Sequence, residues 1–370
     1  MAAGYCRRFV LTGSTMMFQL LRLPLLLPLR QLSRVWSGML CLVLALLAGQ
    51  SGLASAADKQ LRIGTLVPKN SLYHRQLMAI GESWRVAQGG GAKYLVYPDG
   101  SQGGEAEMVR RMRIGQLQGA LMSVVGLREI EPSIAALQSM PLLFRSWDEL
   151  DYVREKMRAG MEKKFLDKGF VVLAWGDAGW VRFFSKEAAL RPDDYKKMKF
   201  FAWGSEPDQQ AIMKSLGYTP VPLETTDILP AIQTGMITVV PSTPYFALAT
   251  QIYNTAPHML DINWAPIVGA LVVSKKAWDD MSPAVQATVR ATSDEAGVQI
   301  RAKARQEVDD AVDAMKKRGL VVNRPSPEQL REWQAFAAAL YPRIRGAMVP
   351  ADTFDEVFVH LKAYRASKGQ

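Results

Sequence analysis

Side chains able to perform catalysis or to bind a metal are few and widely spaced in this chain. Its three histidines, His74, His258 and His360, lie far apart, and none has metal-ligand spacing to another or to nearby acids. Both cysteines, Cys6 and Cys41, stand close to the N-terminus. The sequence has no serine-hydrolase elbow, zinc-protease motif, phosphate-binding loop or dinucleotide fingerprint. It therefore predicts a protein that is not an enzyme and uses neither a metal nor a cofactor.

The residues at the ends of three predicted strands favour ligand binding over catalysis. Apolar runs alternate with helical segments, and this pattern predicts three strands: 199–203, 219–223 and 236–240. Such units bind ligands at the carboxyl ends of their strands. Here those ends carry Trp203, Leu223, Pro241 and Ser242, which offer contact surface and no reactive group.

The N-terminal segment has the pattern of a secretory signal. Arg30 and Arg34 precede an uncharged apolar run over 39–48, and Ala54-Ser55-Ala56 forms a small-residue cleavage site before Ala57. The apolar run is short for a membrane span, although an uncleaved anchor is the alternative. The pattern predicts that residues 1–56 are removed and that the mature protein is periplasmic. Removal would take both cysteines, so the mature chain would have no disulfide.

The low net charge of the mature chain argues against nucleic-acid binding. Residues 1–56 hold five arginines and no acid, so the net charge falls from +10 to +5 when they are removed. No stripe of clustered Lys and Arg is evident, and such a stripe is what nucleic-acid binding needs. Short basic runs such as Lys316-Lys317-Arg318 are typical of helix ends.

Strands and helices alternate through most of the mature chain, which predicts an α/β fold with largely parallel sheets. Further strands are predicted at 61–66, 93–97, 120–125, 170–175, 180–185 and 270–274, with a turn over 176–179. Ser282-Pro283 then begins a charged helix that runs to about Arg318. A helix of that length spans roughly 50 Å, so we expect it to brace two lobes.

Five collinear segments resemble the solute receptors of TRAP transporters, the DctP family. They are 61–68, 112–117, 140–144, 194–199 and 231–237. The resemblance implies a two-lobed periplasmic binding protein, type II-like, with a long lobe-spanning helix. It further implies that a small-molecule ligand is delivered to integral membrane subunits of the transporter. The first lobe is expected to comprise residues 57–179 and about 268–308. The second is expected to comprise residues 180–267 and about 309–370.

The chain departs from the family pattern where the family clamps its ligand's carboxylate. The matched arginine positions hold Phe201 and Val181, and the polar run that usually follows Gly235 is replaced by Thr238-Val239-Val240-Pro241-Ser242. Arg182 is adjacent to one of these positions, but strand alternation sends it to the opposite face. The chain therefore resembles an arginine-less branch of the family.

A cleft without paired cations favours an apolar or aromatic ligand, monocarboxylates included, because an unpaired buried carboxylate is costly. The candidate ligand-binding residues are Leu66, Glu105, Ser123, Trp175, Val181, Arg182, Phe201, Trp203, Ser242, Tyr245 and Trp264. Two alternatives remain. A strand bulge could turn Arg182 inward to bind a C4-dicarboxylate or another organic acid, or the two-lobed fold could serve an enzyme.

We predict that the exported protein begins near Ala57, because the charged, apolar and small-residue regions end at Ala54-Ser55-Ala56. N-terminal sequencing of protein recovered from the periplasm checks this. A start upstream of residue 39 would contradict it.

Overall fold

The computed structural model describes residues 60–369. The strands are β1 (Gln60–Thr65), β2 (Lys93–Tyr97), β3 (Gly119–Ser123), β4 (Phe170–Trp180), β5 (Arg182–Ser185), β6 (Lys199–Trp203), β7 (Thr219–Leu223), β8 (Val239–Ser242), β9 (His258–Leu260), β10 (Pro266–Ser274) and β11 (Val321–Asn323). The helices are α1 (Leu72–Ala87), α2 (Glu105–Arg113), α3 (Val124–Leu127), α4 (Trp147–Asp167), α5 (Pro207–Ser215), α6 (Ile228–Thr234), α7 (Pro244–Ala249), α8 (Lys275–Asp279), α9 (Pro283–Lys316), α10 (Pro327–Ile344) and α11 (Ala351–Ser367).

Two mixed sheets form the centres of two lobes. The first has the order β2-β1-β3-β10-β4, and the second has the order β11-β9-β5-β8-β6-β7. Strands β1, β2 and β3 are parallel, but β10 runs antiparallel to β3 and β4, and β5 runs antiparallel to β8 and β9. Strands β5 and β10 enter their sheets from the other lobe, which is why they oppose their neighbours. The α/β two-lobed prediction is confirmed, and so is the expectation of largely parallel sheets, because β10 and β5 are the only strands of their sheets within residues 60–369 that oppose the others.

β4 is one continuous strand where the sequence predicted a turn over 176–179. The segment stays extended because β10 pairs with it along most of its length, from Phe170 opposite Ser274 to Trp180 opposite Pro266. Pairing with a long neighbour overrides the low strand propensity of Gly and Asp. The break comes at Val181, whose N–H donates to the carbonyl of Ala265 at 2.8 Å.

Several other strands also begin or end at different residues from those predicted. β1 and β5 are shifted by one or two residues, and β10 begins at Pro266 and not at 270. β8 begins at Val239 and not at 236, because Gly235 ends α6 in the left-handed conformation and the Ile237 N–H still bonds back to the Ala231 carbonyl. β3 ends at Ser123 and not at 125. The Ser123 side chain accepts from the Val125 N–H at 3.2 Å and so begins α3.

The long helix α9 spans both lobes as expected. The Ser282 side chain accepts a hydrogen bond from the Val285 N–H, and Pro283 occupies the first turn. The helix has 34 residues, from Pro283 to Lys316. Its packing partners are α1 and β4 in the first lobe and α7 in the second. Buried residues recur along it from Val285 to Met315, so one apolar stripe serves both lobes. Within residues 60–369, no helix combines the length and the apolar character that a membrane crossing requires.

The last helix belongs to a different lobe from the one predicted. The sequence placed 309–370 in the second lobe, but α11 packs against α4. Its buried Phe354, Val357 and Leu361 join the hydrophobic core of the first lobe. The remaining lobe boundaries stay predictions.

A buried charge cluster ties β4 to α4 and α9. The Asp177 carboxylate is inaccessible and accepts hydrogen bonds from Arg154 at 2.5 Å and from Arg305 at 2.7 Å. Asp151 accepts two more from Arg305, at 2.7 and 2.8 Å, and also pairs with Arg154. Burial opposes ionisation of Asp151, but Arg305 and Arg154 hold the pKa of its carboxyl below the usual value. The cluster therefore fixes the strand where it leaves the first lobe.

We expect Asp177→Asn to lower the free energy of unfolding by about 3 kcal/mol, because the buried guanidinium of Arg154 and the half-buried one of Arg305 lose their shared anion. Urea denaturation measures the change. The control is Asp279→Asn, which removes an exposed partner of Lys275 and is expected to cost under about 1 kcal/mol. Equal, small effects of the two substitutions would contradict a bracing role for the cluster.

Candidate functional site

A first cavity of about 170 Å³ lies where the two lobes meet. The first lobe contributes Leu66, which follows β1, and the second lobe contributes Ser242 of β8 and Tyr245 of α7. Residues 176–178 of β4 and Ile300 of α9 complete the wall. Elements of both lobes and the connections between them therefore surround one space, as in a receptor that closes over its ligand.

Glu105 is the principal polar group of this cavity. It begins α2, and its carboxylate accepts the Ser123 N–H at 2.8 Å, the Ser123 hydroxyl at 2.6 Å and the Gly126 N–H at 2.8 Å. Burial raises the pKa of Glu105, and these three hydrogen bonds oppose the rise. Gly126 is required here because a Cβ would lie only 2.6 Å from the Glu105 Cβ.

Two tyrosines, one from each lobe, meet across the same cavity. The rings of Tyr73 and Tyr245 stand edge to face with centroids 6.0 Å apart. The Tyr73 hydroxyl donates to the backbone carbonyl of Asp177 at 3.0 Å. Burial raises the pKa of Tyr73 far above its usual value, and that of Tyr245 as well, so both remain neutral donors.

A second cavity of about 150 Å³ adjoins the first, and Trp203, Pro241 and Ile267 line both. The Trp203 indole N–H donates to the Thr225 hydroxyl at 3.2 Å, which fixes the ring at the junction. Phe201 packs edge to face against that ring with a centroid separation of 5.1 Å. The second cavity is bounded by α5, α10 and the aromatic residues of β5 and β6.

Nine of the eleven sequence-predicted residues line one or both cavities. In the first are Leu66, Glu105, Ser123, Ser242 and Tyr245, in the second are Val181, Phe201 and Trp264, and Trp203 belongs to both. That these residues bind the ligand stays a prediction.

The other two predicted residues face elsewhere. Arg182 lies on the opposite strand face from Val181, as alternation requires, and bonds to Asn263 and to Asp261, the latter at 3.5 Å. Trp175 lies in the middle of β4 because the strand runs on to Trp180. Its indole N–H donates to Glu162 at 2.8 Å, so it packs beneath α4 and outside both cavities.

No lysine, arginine or histidine of the described residues 60–369 lines either cavity. An ion pair between Arg128, which follows α3, and Glu206, which precedes α5, joins the two lobes at 3.2 Å. Burial raises the pKa of Glu206, and Arg128 opposes the rise. Glu206 therefore holds the Arg128 guanidinium at the contact between the lobes.

Several cavity residues could not be found from the sequence. Tyr73 and Ile300 lie on helices remote from the predicted strand ends, and Thr225, Ile228 and Phe246 follow no motif. Helical periodicity indicates a buried face at most, and that signal does not distinguish a cavity wall from a core. No group of three or more His, Cys, Asp or Glu within residues 60–369 could hold a metal ion.

Comparison with known proteins gives a consistent picture. The YiaO protein of Escherichia coli, a 2,3-diketo-L-gulonate-binding periplasmic protein, is 24% identical over 309 residues, which cover 80% of this chain and 89% of that protein. A TRAP periplasmic solute-binding protein of Ralstonia eutropha, solved with (S)-2-acetolactate, superposes with a TM-score of 0.76 at 18% identity and covers 82% of this chain and 99% of its own. Another from Sulfurospirillum deleyianum, solved with succinate, gives a TM-score of 0.74 at 20% identity, over 81% of this chain and 98% of its own.

The family model for bacterial extracellular solute-binding protein, family 7 (DctP), matches residues 63–346. This range covers most of the chain and includes both sheets and the whole of α9. The chain therefore belongs to the DctP family of periplasmic solute receptors, those of TRAP-type transporters.

Proposed function

We propose that this receptor captures an apolar or aromatic solute, monocarboxylates included, between its lobes and delivers it to the membrane subunits of a TRAP transporter. The observation that carries the proposal is the absence of any cationic side chain from the walls of both cavities among residues 60–369. The periplasmic location rests on the family and on the predicted signal segment.

The relatives named above were solved with organic acids, or are named for one. The cavities of this chain differ from what such ligands need, because no cationic side chain lines them within residues 60–369. An arginine–carboxylate hydrogen bond contributes about 1.5–3 kcal/mol, so the loss of two such arginines weakens binding on the order of a hundredfold or more. The buried carboxyl of Glu105 adds like-charge repulsion against an anion. A dianion would therefore enter this cavity at high cost.

A monocarboxylate is compatible with the same geometry because Glu105 can share a proton with it. Its Oε2 atom already accepts two hydrogen bonds, whereas Oε1 accepts only the Ser123 N–H. With its pKa raised by burial, Glu105 can hold a proton on Oε1 and donate it to one ligand oxygen. Two carboxyl groups that share one proton avoid the repulsion between two anions.

The second candidate function, binding of a C4-dicarboxylate through Arg182, is disfavoured by the contacts of that residue. Its guanidinium is engaged by Asn263 and Asp261 on the strand face away from Val181. Turning it inward would break both contacts and leave the Asp261 carboxylate with one cationic partner fewer.

Calorimetric titration of the purified receptor tests the ligand class. We expect phenylalkanoic or medium-chain alkanoic acids to bind at least a hundredfold more tightly than succinate or malate. Trp203→Ala should weaken binding at least tenfold through lost ring contact, whereas Arg182→Ala should leave it unchanged. Trp278→Ala, outside both cavities, is the matched control. Micromolar succinate binding that Arg182→Ala abolishes would contradict the proposal.

The proton shared through Glu105 gives monocarboxylate binding a pH dependence. The bound anion raises the pKa of Glu105 further, so binding takes up a proton and affinity rises as the pH falls, by up to about tenfold per unit. Affinities measured from pH 5 to pH 8 should show this slope for an acid but not for the alcohol of equal length. The slope should vanish in Glu105→Gln and persist in Glu328→Gln, an exposed control. A flat profile in the wild type would rule out the shared proton.

A further inference from the structure

The second cavity differs chemically from the first. Its walls hold no charged side chain within the described residues. The polar residues there are Gln138, Ser139 and Gln209, and aromatic and aliphatic side chains form most of its lining. The polar atoms of two of these rings are already engaged. The Trp333 indole N–H donates to the Leu190 carbonyl at 2.8 Å, and the Tyr218 hydroxyl donates to the Pro192 carbonyl at 3.1 Å. These two residues therefore present only carbon surface to the cavity.

The position of this cavity connects it to the ligand site. Trp203, Pro241 and Ile267 are walls of both cavities, so the two spaces adjoin at these residues. The far side is formed by α5, with Ile212 and Met213, and by α10. The carboxyl groups of Glu105 and Asp177 line the first cavity only, whereas the polar residues of the second are uncharged. The pair of cavities thus has one end with carboxyl groups and one end without charge.

We propose that the second cavity is an apolar subsite that holds an aryl or alkyl group, the end of a ligand whose polar part lies in the first cavity. The inference rests on the proposed function for its link to the natural ligand. Apolar cavities of about 150 Å³ stay dry and bind benzene-sized molecules. One ring or a chain of a few methylenes fits this space, and each buried methylene improves affinity about fourfold.

The subsite is tested first with toluene, which has no polar group. In receptor carrying ¹³C-methyl isoleucine and methionine, toluene should shift the methyl signals of the cavity residues in a saturable way. These are Ile212, Met213, Ile267, Ile344 and Met348. The exposed Met78 and Ile114 should not respond. Absence of a saturable shift at the cavity methyls would overturn the subsite.

A blocking substitution provides the specificity control. Ile212→Trp fills the cavity from α5 and should abolish the toluene response, whereas Ile114→Trp, at an exposed site, should preserve it. Met213→Trp blocks from the next position if the first variant does not fold. Persistent toluene shifts in a folded blocked variant would place the binding elsewhere and overturn the proposal.

Calorimetry with 1-alkanols and n-alkanoic acids of four to ten carbons tests the connection. In the wild type, affinity should rise about fourfold per methylene until the subsite is full, and in Ile212→Trp the rise should stop at a shorter chain. Identical chain-length dependence in the two proteins would overturn the connection. If no acid or alcohol binds but toluene still shifts the cavity methyls, the proposed ligand class fails and the apolar subsite stands.

Discussion

The need to pair buried guanidinium groups within the protein governs both the framework and the cleft of this receptor. Asp177 is neutralised by Arg154 and Arg305, and Glu206 by Arg128. Arg182 is held by Asn263 and Asp261. A buried ion that loses its partner is strongly destabilising, so these guanidinium groups cannot turn toward a ligand without cost. The cavity walls are left with rings, aliphatic side chains, hydroxyls and amides, together with the buried carboxyls of Glu105 and of the already paired Asp177.

The same pairing supports the architecture that makes a cleft. β4 and β10 run side by side where the chain passes between the lobes, and the Asp177 cluster clamps β4 to α4 and α9. Since α9 also packs on α7 of the second lobe, the rigid elements of both lobes converge on the wall of the first cavity. A ligand there touches the elements whose relative position changes when such a receptor closes.

Much of the fold follows from local sequence signals that mark where helices begin and end. Ser282-Pro283 and Gly235 mark helix ends because capping and left-handed geometry are local properties. The predicted turn over 176–179 failed for the opposite reason. The segment is extended because it pairs with β10, which lies about ninety residues later in the chain. No local sequence pattern predicts the pairing of β4 with β10. The lobe of α11 was likewise decided by packing against α4.

The same distinction between local signals and long-range packing applies to the residues of the candidate site. Strand alternation correctly separated Val181 from Arg182 and put Phe201 and Trp203 on one face. Trp175 was misplaced because its strand was predicted to end five residues too early. Tyr73 and Ile300 reach the cavity from helices, and a helical apolar face gives no sign of whether it borders a core or a ligand.

The identity of the molecule that the receptor carries tests the central claim most directly. The measurement is native mass spectrometry of receptor purified from the periplasm, followed by denaturation and identification of the released compound. It identifies the bound ligand without a preselected set of candidates. A cleft wall without cationic side chains predicts a neutral or singly charged compound with an alkyl or aryl portion. Stoichiometric release of a dicarboxylate or a sugar acid would contradict the account.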